Sequence, residues 1–408
     1  MSTTAQRSPR ARVRRLRAGW AAVALGLAAA VALPLGTAPA AALEPPPEPP
    51  VVERPAGWPG PPSLAADAAL LVEADTGQVL FEHRADEPRA VASTIKVLTA
   101  LTVLERADLD DEVTVGEEVE DVPGSGVGLA PGDTWTVEQL IDALIARSGN
   151  EAAEALAVHI GGDVAGFTDL MAADAAALGV DDLEVTSPSG LDDDQRLSAR
   201  ELATVARAGL ADDRLRPFLG RDQVELPGEG ELPARNELLD RYDGATGVKT
   251  GFTAAAGNSL VASAERDGRE LVAVVLGAGD DPARFDQAAA LLDLGFDAYG
   301  RTLLGGELAL AVAGGEVRLR VDPTPVTVPL DVEVALGWPS LTRPPTTAAD
   351  VAIRLGDDAG GPVIGELSAA LDESRGPEPD SQGERLGRAV VDGVYAGLRA
   401  GAAVDGLS

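Results

Sequence analysis

The sequence predicts an α+β fold: an antiparallel sheet flanked by helices, with a helical block inserted between its first and last strands, followed by a small, mainly-β C-terminal domain. Three observations predict it. Two hairpin-like signals lie far apart, at 69–81 and 259–276. The chain between them carries apolar residues at helical rather than alternating spacing. From about Gly300 the texture changes to short β-like runs, such as Glu316–Val321 and Val326–Leu336, with Pro and Gly between them.

Taken in order, the 408 residues open on six arginines and no acid within the first 17 positions. An apolar run from Ala18 to Leu35 and the small residues Ala38-Pro39-Ala40 follow, which is the layout of a secretory leader over residues 1–42, cleaved near Ala40. The bland alternative is an uncleaved anchor helix, for which the apolar length is barely sufficient. Either reading places the body outside the cytoplasm. Residues 43–63 form a Pro-rich linker, since Glu44 to Pro62 alone holds nine prolines.

The folded part is expected over 64–300. Ala69–Val72 and Val79–Phe81 flank Asp75-Thr76-Gly77-Gln78, a hairpin signal. Ile95, Leu98, Leu101 and Leu104 recur at helical spacing and put Ser93 at a helix start. Thr136 with Gln139 forms a capping-box pattern ahead of the apolar face Val137, Leu140, Ile141, Leu144 and Ile145, and that helix runs out at Ser148-Gly149-Asn150. Ser259–Ala264 and Leu271–Leu276 bracket an Asp267-Gly268 turn, and Phe285, Ala288, Leu292 and Phe296 mark one more helix. The β-rich domain and tail occupy 301–408. Within them, Glu384–Arg399 reads as a helix whose one-sided Leu386, Val390, Val394 and Leu398 allow a peripheral membrane contact, although its three glycines favour a packed or frayed tail.

Composition removes several function classes. With no cysteine there is no disulfide, thiolate metal site or cysteine nucleophile. The formal charge is −33, and removing the six leading arginines from that count leaves the rest at −39. Such a chain lacks the basic footprint that nucleic acid requires. The acidity reads as solubility by self-repulsion, or more sharply as adaptation to high salt.

Lysine is the informative residue. Of 33 cations only Lys96 and Lys249 are lysines. An amine can lose its proton and a guanidinium cannot, so the two positions that kept lysine point to proton chemistry. Lys96 follows Ser93 by three residues, which places hydroxyl and amine on one helical face. A serine hydroxyl becomes a good nucleophile when a neighbour accepts its proton, and a lysine does so when burial or a like charge lowers its pKa. Lys249 is the candidate like charge. Ser148-Gly149-Asn150 supplies a second hydroxyl and an amide. Lys249-Thr250-Gly251 is read as opening a strand on whose edge a side-chain-free Gly251 lets a substrate backbone approach.

Each string alone is modest evidence, but the three in this order match the serine, SxN and KTG triad of penicillin-binding proteins and serine β-lactamases. Over roughly Ala68 to Gly300 the sequence resembles the D-alanyl-D-alanine carboxypeptidase family. The likeness rests on Val72-Glu73-Ala74-Asp75-Thr76-Gly77, Ala92-Ser93-Thr94-Ile95-Lys96, Ser148-Gly149-Asn150-Glu151-Ala152-Ala153, Ser189-Gly190-Leu191, Gly247-Val248-Lys249-Thr250-Gly251-Phe252-Thr253 with Ala256-Gly257, and Leu276-Gly277-Ala278. One departure is Ser187, where many relatives carry Asn before Pro188, which puts a local turn contact in question.

The resemblance implies a β-lactamase/transpeptidase-like fold and a mechanism. Ser93 attacks the penultimate D-alanine carbonyl of a peptidoglycan stem peptide, Lys96 takes its proton, and an acyl-enzyme forms. Ser148 relays a proton to the leaving amine, and Asn150 holds the substrate amide. Lys249 and Thr250 bind the terminal carboxylate with help from Arg284, beside Gly251 and Thr253 of the same strand. The N–H groups of Ser93 and Phe252 form the oxyanion hole. β-Lactams are implied as covalent inhibitors, and neither metal nor organic cofactor is called for. The alternatives are a serine β-lactamase, a D,D-endopeptidase, or a non-catalytic wall-binding homologue. A class A β-lactamase would need Glu four residues before Asn236, where Leu232 stands, with Glu231 one place off. His83 and His159 lie in no triad-like motif, Asp192-Asp193-Asp194 reads as a solvated loop, and Trp20, Trp58, Trp135 and Trp338 are too scattered to form a platform.

Overall fold

The structure is a computed structural model that describes residues 62–181, 183–312, 315–329, 334–337, 348–355 and 363–371. The leader, most of the linker and the Glu384–Arg399 helix expected from sequence lie outside these residues, as do Trp20, Trp58 and Trp338. Contacts divide the chain into two compact units whose boundary falls between Gly300 and Arg301.

The first unit is built on a five-stranded antiparallel sheet of β1 (Ala68–Glu73), β2 (Val79–His83), β3 (Ala245–Thr253), β4 (Gly257–Arg266) and β5 (Arg269–Leu276). Their order is β2-β1-β5-β4-β3. The first strand pairs with the last, from Ala68 opposite Leu276 to Glu73 opposite Leu271. This closes the sheet around everything inserted between residues 84 and 244. The β4–β5 turn has φ 53° at Asp267 and 73° at Gly268, the two left-handed residues of a type I′ turn that matches the twist of the strands.

β1 is buried at all six positions because the sheet is covered on both faces. Leu70, Val72, Val272 and Val274 pack into the helical block. Leu71, Leu271, Ala273 and Val275 pack against Phe285, Ala288, Leu291 and Leu292, which belong to one long helix, Asp281–Ala298. A strand with two covered faces reads as a continuous apolar run, as Ala69–Val72 does.

The helical block comprises α1 (Lys96–Leu104), α2 (Val137–Ile145), α3 (Asn150–Gly161), α4 (Val164–Ala177) and α5 (Ala199–Ala211), with Asp281–Ala298 as α6 after the sheet. Capping residues fix where these helices begin. Thr136 and Gln139 form the reciprocal capping box predicted from sequence, Ser198 and Glu201 form a second, and Asp280 caps α6 by accepting from the Ala283 N–H. Each such cap satisfies helix-end donors and is worth about 1 kcal/mol. Among the described residues no helix is long and apolar enough to cross a membrane.

The second unit contains most of β6 (Tyr299–Val312), which begins two residues before the unit boundary, then β7 (Gly315–Pro329), β8 (Val334–Gly337), β9 (Ala348–Leu355) and β10 (Val363–Leu371). They form one sheet in the order β6-β7-β10-β9-β8. The mixed α+β architecture with a mainly-β C-terminal part therefore agrees with the fold class read from the sequence.

Candidate active site

Ser93 lies in a short 3-10 turn, Ala92–Ile95, immediately before α1. The residue before it, Ala92, has φ 47°, a left-handed conformation that a non-glycine residue adopts only when its surroundings impose it. Gly190 supplies part of that imposition, because a Cβ there would overlap the Ala92 carbonyl oxygen. The Thr94 hydroxyl donates back to Val91 O at 2.6 Å and ties the turn down.

Lys96 is the first residue of α1 and is fully buried. Its Nζ lies 2.7 Å from Ser93 Oγ, 2.7 Å from Asn150 Oδ1 and 2.6 Å from the Ser189 carbonyl oxygen. The i, i+3 spacing thus brings hydroxyl and amine together as the sequence predicts. Burial pushes this amine well below its ordinary range, the Lys249 charge and Arg235 push the same way, and Glu154 opposes them. The three contacts are all to uncharged oxygens. A neutral amine has two N–H groups and one lone pair, so with its hydrogens on Asn150 Oδ1 and Ser189 O, its lone pair faces the Ser93 hydroxyl.

Ser148 adopts φ 62° and is buried, the second left-handed non-glycine residue at the site. Asn150 opens α3 and is engaged at both ends of its amide. Oδ1 accepts from Lys96, and Nδ2 donates to Pro123 O at 2.7 Å. One Nδ2 hydrogen remains for another acceptor. The Ser125 carbonyl also accepts from Asn150 N at 2.7 Å, and the Glu151 carboxylate accepts from Val127 N and Gly128 N. The loop around residues 123–128 is thereby held against the start of α3.

Lys249, Thr250, Gly251, Phe252 and Thr253 lie on β3, the edge strand of the sheet. The expectation that Lys249 opens the strand is corrected here: β3 starts at Ala245, because its ladder with β4 runs on to Ala264 opposite Ala245. Gly251 has a further reason to be glycine. A Cβ there would lie 3.1 Å from Thr94 Cγ2 and 3.3 Å from Ala92 Cβ and Thr94 N. The missing side chain is what lets the serine turn seat against the strand. Lys249 is buried and donates to Thr250 O at 3.0 Å. Burial, then the charges of Arg235 and Arg284, pushes its amine down to about 7. Arg284 is buried and donates to Gly251 O at 3.3 Å while pairing with Asp281. Thr253 Oγ1 donates to Asp193 Oδ1 at 2.6 Å, which docks the acidic loop on the end of β3. Phe252 is 63% exposed.

The segment 186–190 is fixed from several directions. Gln195 Oε1 accepts from Thr186 N and Ser187 N, and Pro188 O accepts from Thr99 Oγ1. The Ser187 hydroxyl accepts from Ser189 N and Gly190 N, both at 3.2 Å. Serine therefore serves as the turn acceptor at the position where the sequence departs from its look-alikes.

Three contributors escaped the sequence reading. Ser189 acts through its main chain, Arg235 acts on both lysines from the segment before β3, and Glu154 lies one turn beyond Asn150 on α3. Only Glu154 carried a local signal, its i, i+4 spacing from Asn150. His83 and His159 are exposed, and Trp135 is a core residue. Among the described residues no group of acids and histidines is arranged to hold a metal.

A family model described as D-alanyl-D-alanine carboxypeptidase matches residues 56–280, more than half of the chain. The D-alanyl-D-alanine carboxypeptidase DacB2 of Mycobacterium tuberculosis is 37% identical over 252 residues, 60% of this chain and 86% of that protein. DacF of Bacillus subtilis, which bears the same enzyme name, is 32% identical over 244 residues, 57% of this chain and 63% of that protein. The crystal structure of penicillin binding protein 5 from Haemophilus influenzae superposes with a TM-score of 0.65 at 25% identity, covering 76% of this chain and 97% of that one.

Proposed function

This chain belongs to the D-alanyl-D-alanine carboxypeptidase family, and from that premise we propose that it is a serine-type, penicillin-binding D-Ala-D-Ala carboxypeptidase that trims peptidoglycan stem peptides. The observation that carries the reading is the 2.7 Å approach of the buried Lys96 Nζ to Ser93 Oγ.

Ser93 Oγ attacks the carbonyl of the penultimate D-alanine as its proton passes to Lys96 Nζ. The new C–O bond pushes the carbonyl electrons onto oxygen, where the N–H groups of Ser93 and Phe252 receive them. Each such donor is worth about 2.7–4 kcal/mol in a pre-organised site. Collapse of the tetrahedral intermediate breaks the C–N bond, and the proton held by Lys96 passes through the Ser148 hydroxyl to the departing amine of D-alanine, leaving Lys96 neutral. Water then attacks the ester on Ser93 as the amine of Lys96 takes its proton, and the C–O bond to Ser93 breaks as Lys96 returns that proton to Oγ, releasing the shortened stem with its new carboxylate. Asn150 holds the substrate amide with the remaining hydrogen of its Nδ2. Lys249, Thr250 and Arg284 form the cationic end that accepts the terminal carboxylate, a strong, charge-assisted contact. β-Lactams acylate Ser93 along the same path.

The domain scheme fits this reading: an exported protein with a leader over 1–42, a linker over 43–63, the catalytic domain over 64–300, and a C-terminal domain over 301–408 that permits peripheral membrane contact. The β-lactamase alternative gains no support, since Glu231 lies exposed on a two-stranded hairpin with Leu232 beside it.

The test is labelling with a fluorescent penicillin, alongside release of D-alanine from a diacyl-D-Ala-D-Ala peptide. Wild type is expected to take up a stable label and release D-alanine, and Ser93→Ala to do neither. An unlabelled wild type would overturn the reading, and a label lost within seconds would turn it towards a β-lactamase.

A further inference from the structure

We propose that Glu154 is a positioning residue that acts as the counter-charge of Lys96 and so keeps that amine basic enough to hold the Ser93 proton. The inference rests on Lys96 being the base, as proposed above. Asn150 and Glu154 are one turn apart on α3 and share a face, and that face meets Lys96. Asn150 Oδ1 accepts from Lys96 Nζ directly. Glu154 Oε1 accepts from the Ser189 hydroxyl at 3.5 Å, and the carbonyl of the same Ser189 accepts from Lys96 Nζ at 2.6 Å. The carboxylate thus grips the residue that grips the amine.

The charges around the amine are unbalanced without it. Lys249 on β3 and Arg235 on the loop before β3 both drive the Lys96 proton off, and Glu154 is the acid that opposes them. Glu154 in turn faces Lys96 and Glu118. Burial raises its carboxyl above the usual range, the Ser189 bond and Lys96 lower it, and Glu118 raises it further. A general base must be unprotonated at the working pH and must still bind a proton well in the transition state. Burial and two cations secure the first condition and work against the second. Glu154 moves the balance back.

The sign of the test follows. Removing the negative charge lowers the proton affinity of Lys96, so the acid limb of the penicillin acylation rate should move to lower pH in Glu154→Gln. The expected move is roughly 0.5–1 pH unit, less than the 1–3 units of a charge in direct contact. The plateau rate should fall several-fold, because the base is weaker. Glu154→Asp keeps the charge and should keep the wild-type limb, and thermal melts report whether each variant is folded. If Glu154→Gln does not fold, Glu154→Ser carries the same expectation with a smaller polar group. A merely structural role would lower the rate without moving the limb, so coincident limbs in wild type and folded Glu154→Gln would overturn the inference. The two readings fail differently: no label on wild type removes the base assignment itself, whereas labelled wild type with an unmoved limb removes only Glu154. Lys249 does not confuse the result, since its deprotonation weakens anion binding on the alkaline side.

Discussion

The two lysines of this chain are both buried within one site, yet they are built for opposite states. Lys96 meets three uncharged oxygens drawn from three parts of the fold, and Lys249 donates only to its neighbour Thr250 O among the described residues. The first arrangement fixes the direction of a lone pair. The second leaves an ammonium whose natural partner is an anion brought in from outside. One polypeptide therefore uses the same side chain as proposed base and as proposed anion receptor, and the difference lies in what surrounds each amine.

The comparison breaks most visibly at Lys96. In Lys96→Arg the side chain keeps a similar reach, but its guanidinium stays charged and cannot accept a proton. Acylation by penicillin is expected to fall by about 10²–10⁴-fold, the usual contribution of a general base. If Lys249 is instead a receptor, Lys249→Met should cost about 10- to 100-fold in kcat/KM towards a peptide with a free terminal carboxylate, the loss of one charged hydrogen bond. It should cost much less towards the C-terminal amide of the same peptide. Equal losses on both peptides would dissolve the distinction between the two lysines.

A stability measurement sharpens the same contrast. The Lys249 amine titrates at about 7 in the folded protein against about 10.4 in an unfolded chain. Between these values the unfolded state binds more protons, so stability rises with pH across that window, and below about 7 the penalty of the buried charge is complete. Lys249→Met should therefore melt at a higher temperature than wild type at pH 6, with the gap narrowing by pH 9. Gly251→Ala should have a smaller effect, about 1–2 kcal/mol for overpacking the contacts with Thr94 and Ala92, together with a slower acylation because the serine turn must shift. Smallest of all, Ser187→Ala should cost about 1 kcal/mol for the turn acceptor it removes, and Ser187→Asn should restore it. Both are read from thermal melts.

What could be read from the sequence divides along the same line as the two lysines. Ser93 and Lys96 were legible together because a helix converts a spacing of three into a contact. The sheet was legible because an Asp-Gly turn and two distant apolar runs leave few ways to pair. Long-range contacts were not. Nothing in the sequence near Lys96 says that the Ser189 carbonyl will meet it, since every residue has a carbonyl and only the fold selects one. Gly251 was legible as a position that needs room, but not its neighbour in the fold, because a missing side chain does not say that Thr94 and Ala92 will press against it. The start of β3 was placed four residues late for a related reason: Ala245 and Gly247 break up the β signal of Thr246 and Val248, and the run is strand through pairing with β4.

Gly190 touches no substrate atom in the proposed reaction, yet its own left-handed backbone and the Ala92 carbonyl pressed against it leave no room for any other residue. Saturation mutagenesis across this gene would therefore score Gly190 as harshly as Ser93. A map of intolerance drawn from such a survey would trace the mould in which the serine turn is cast, and only a chemical probe would tell the mould from the reagent.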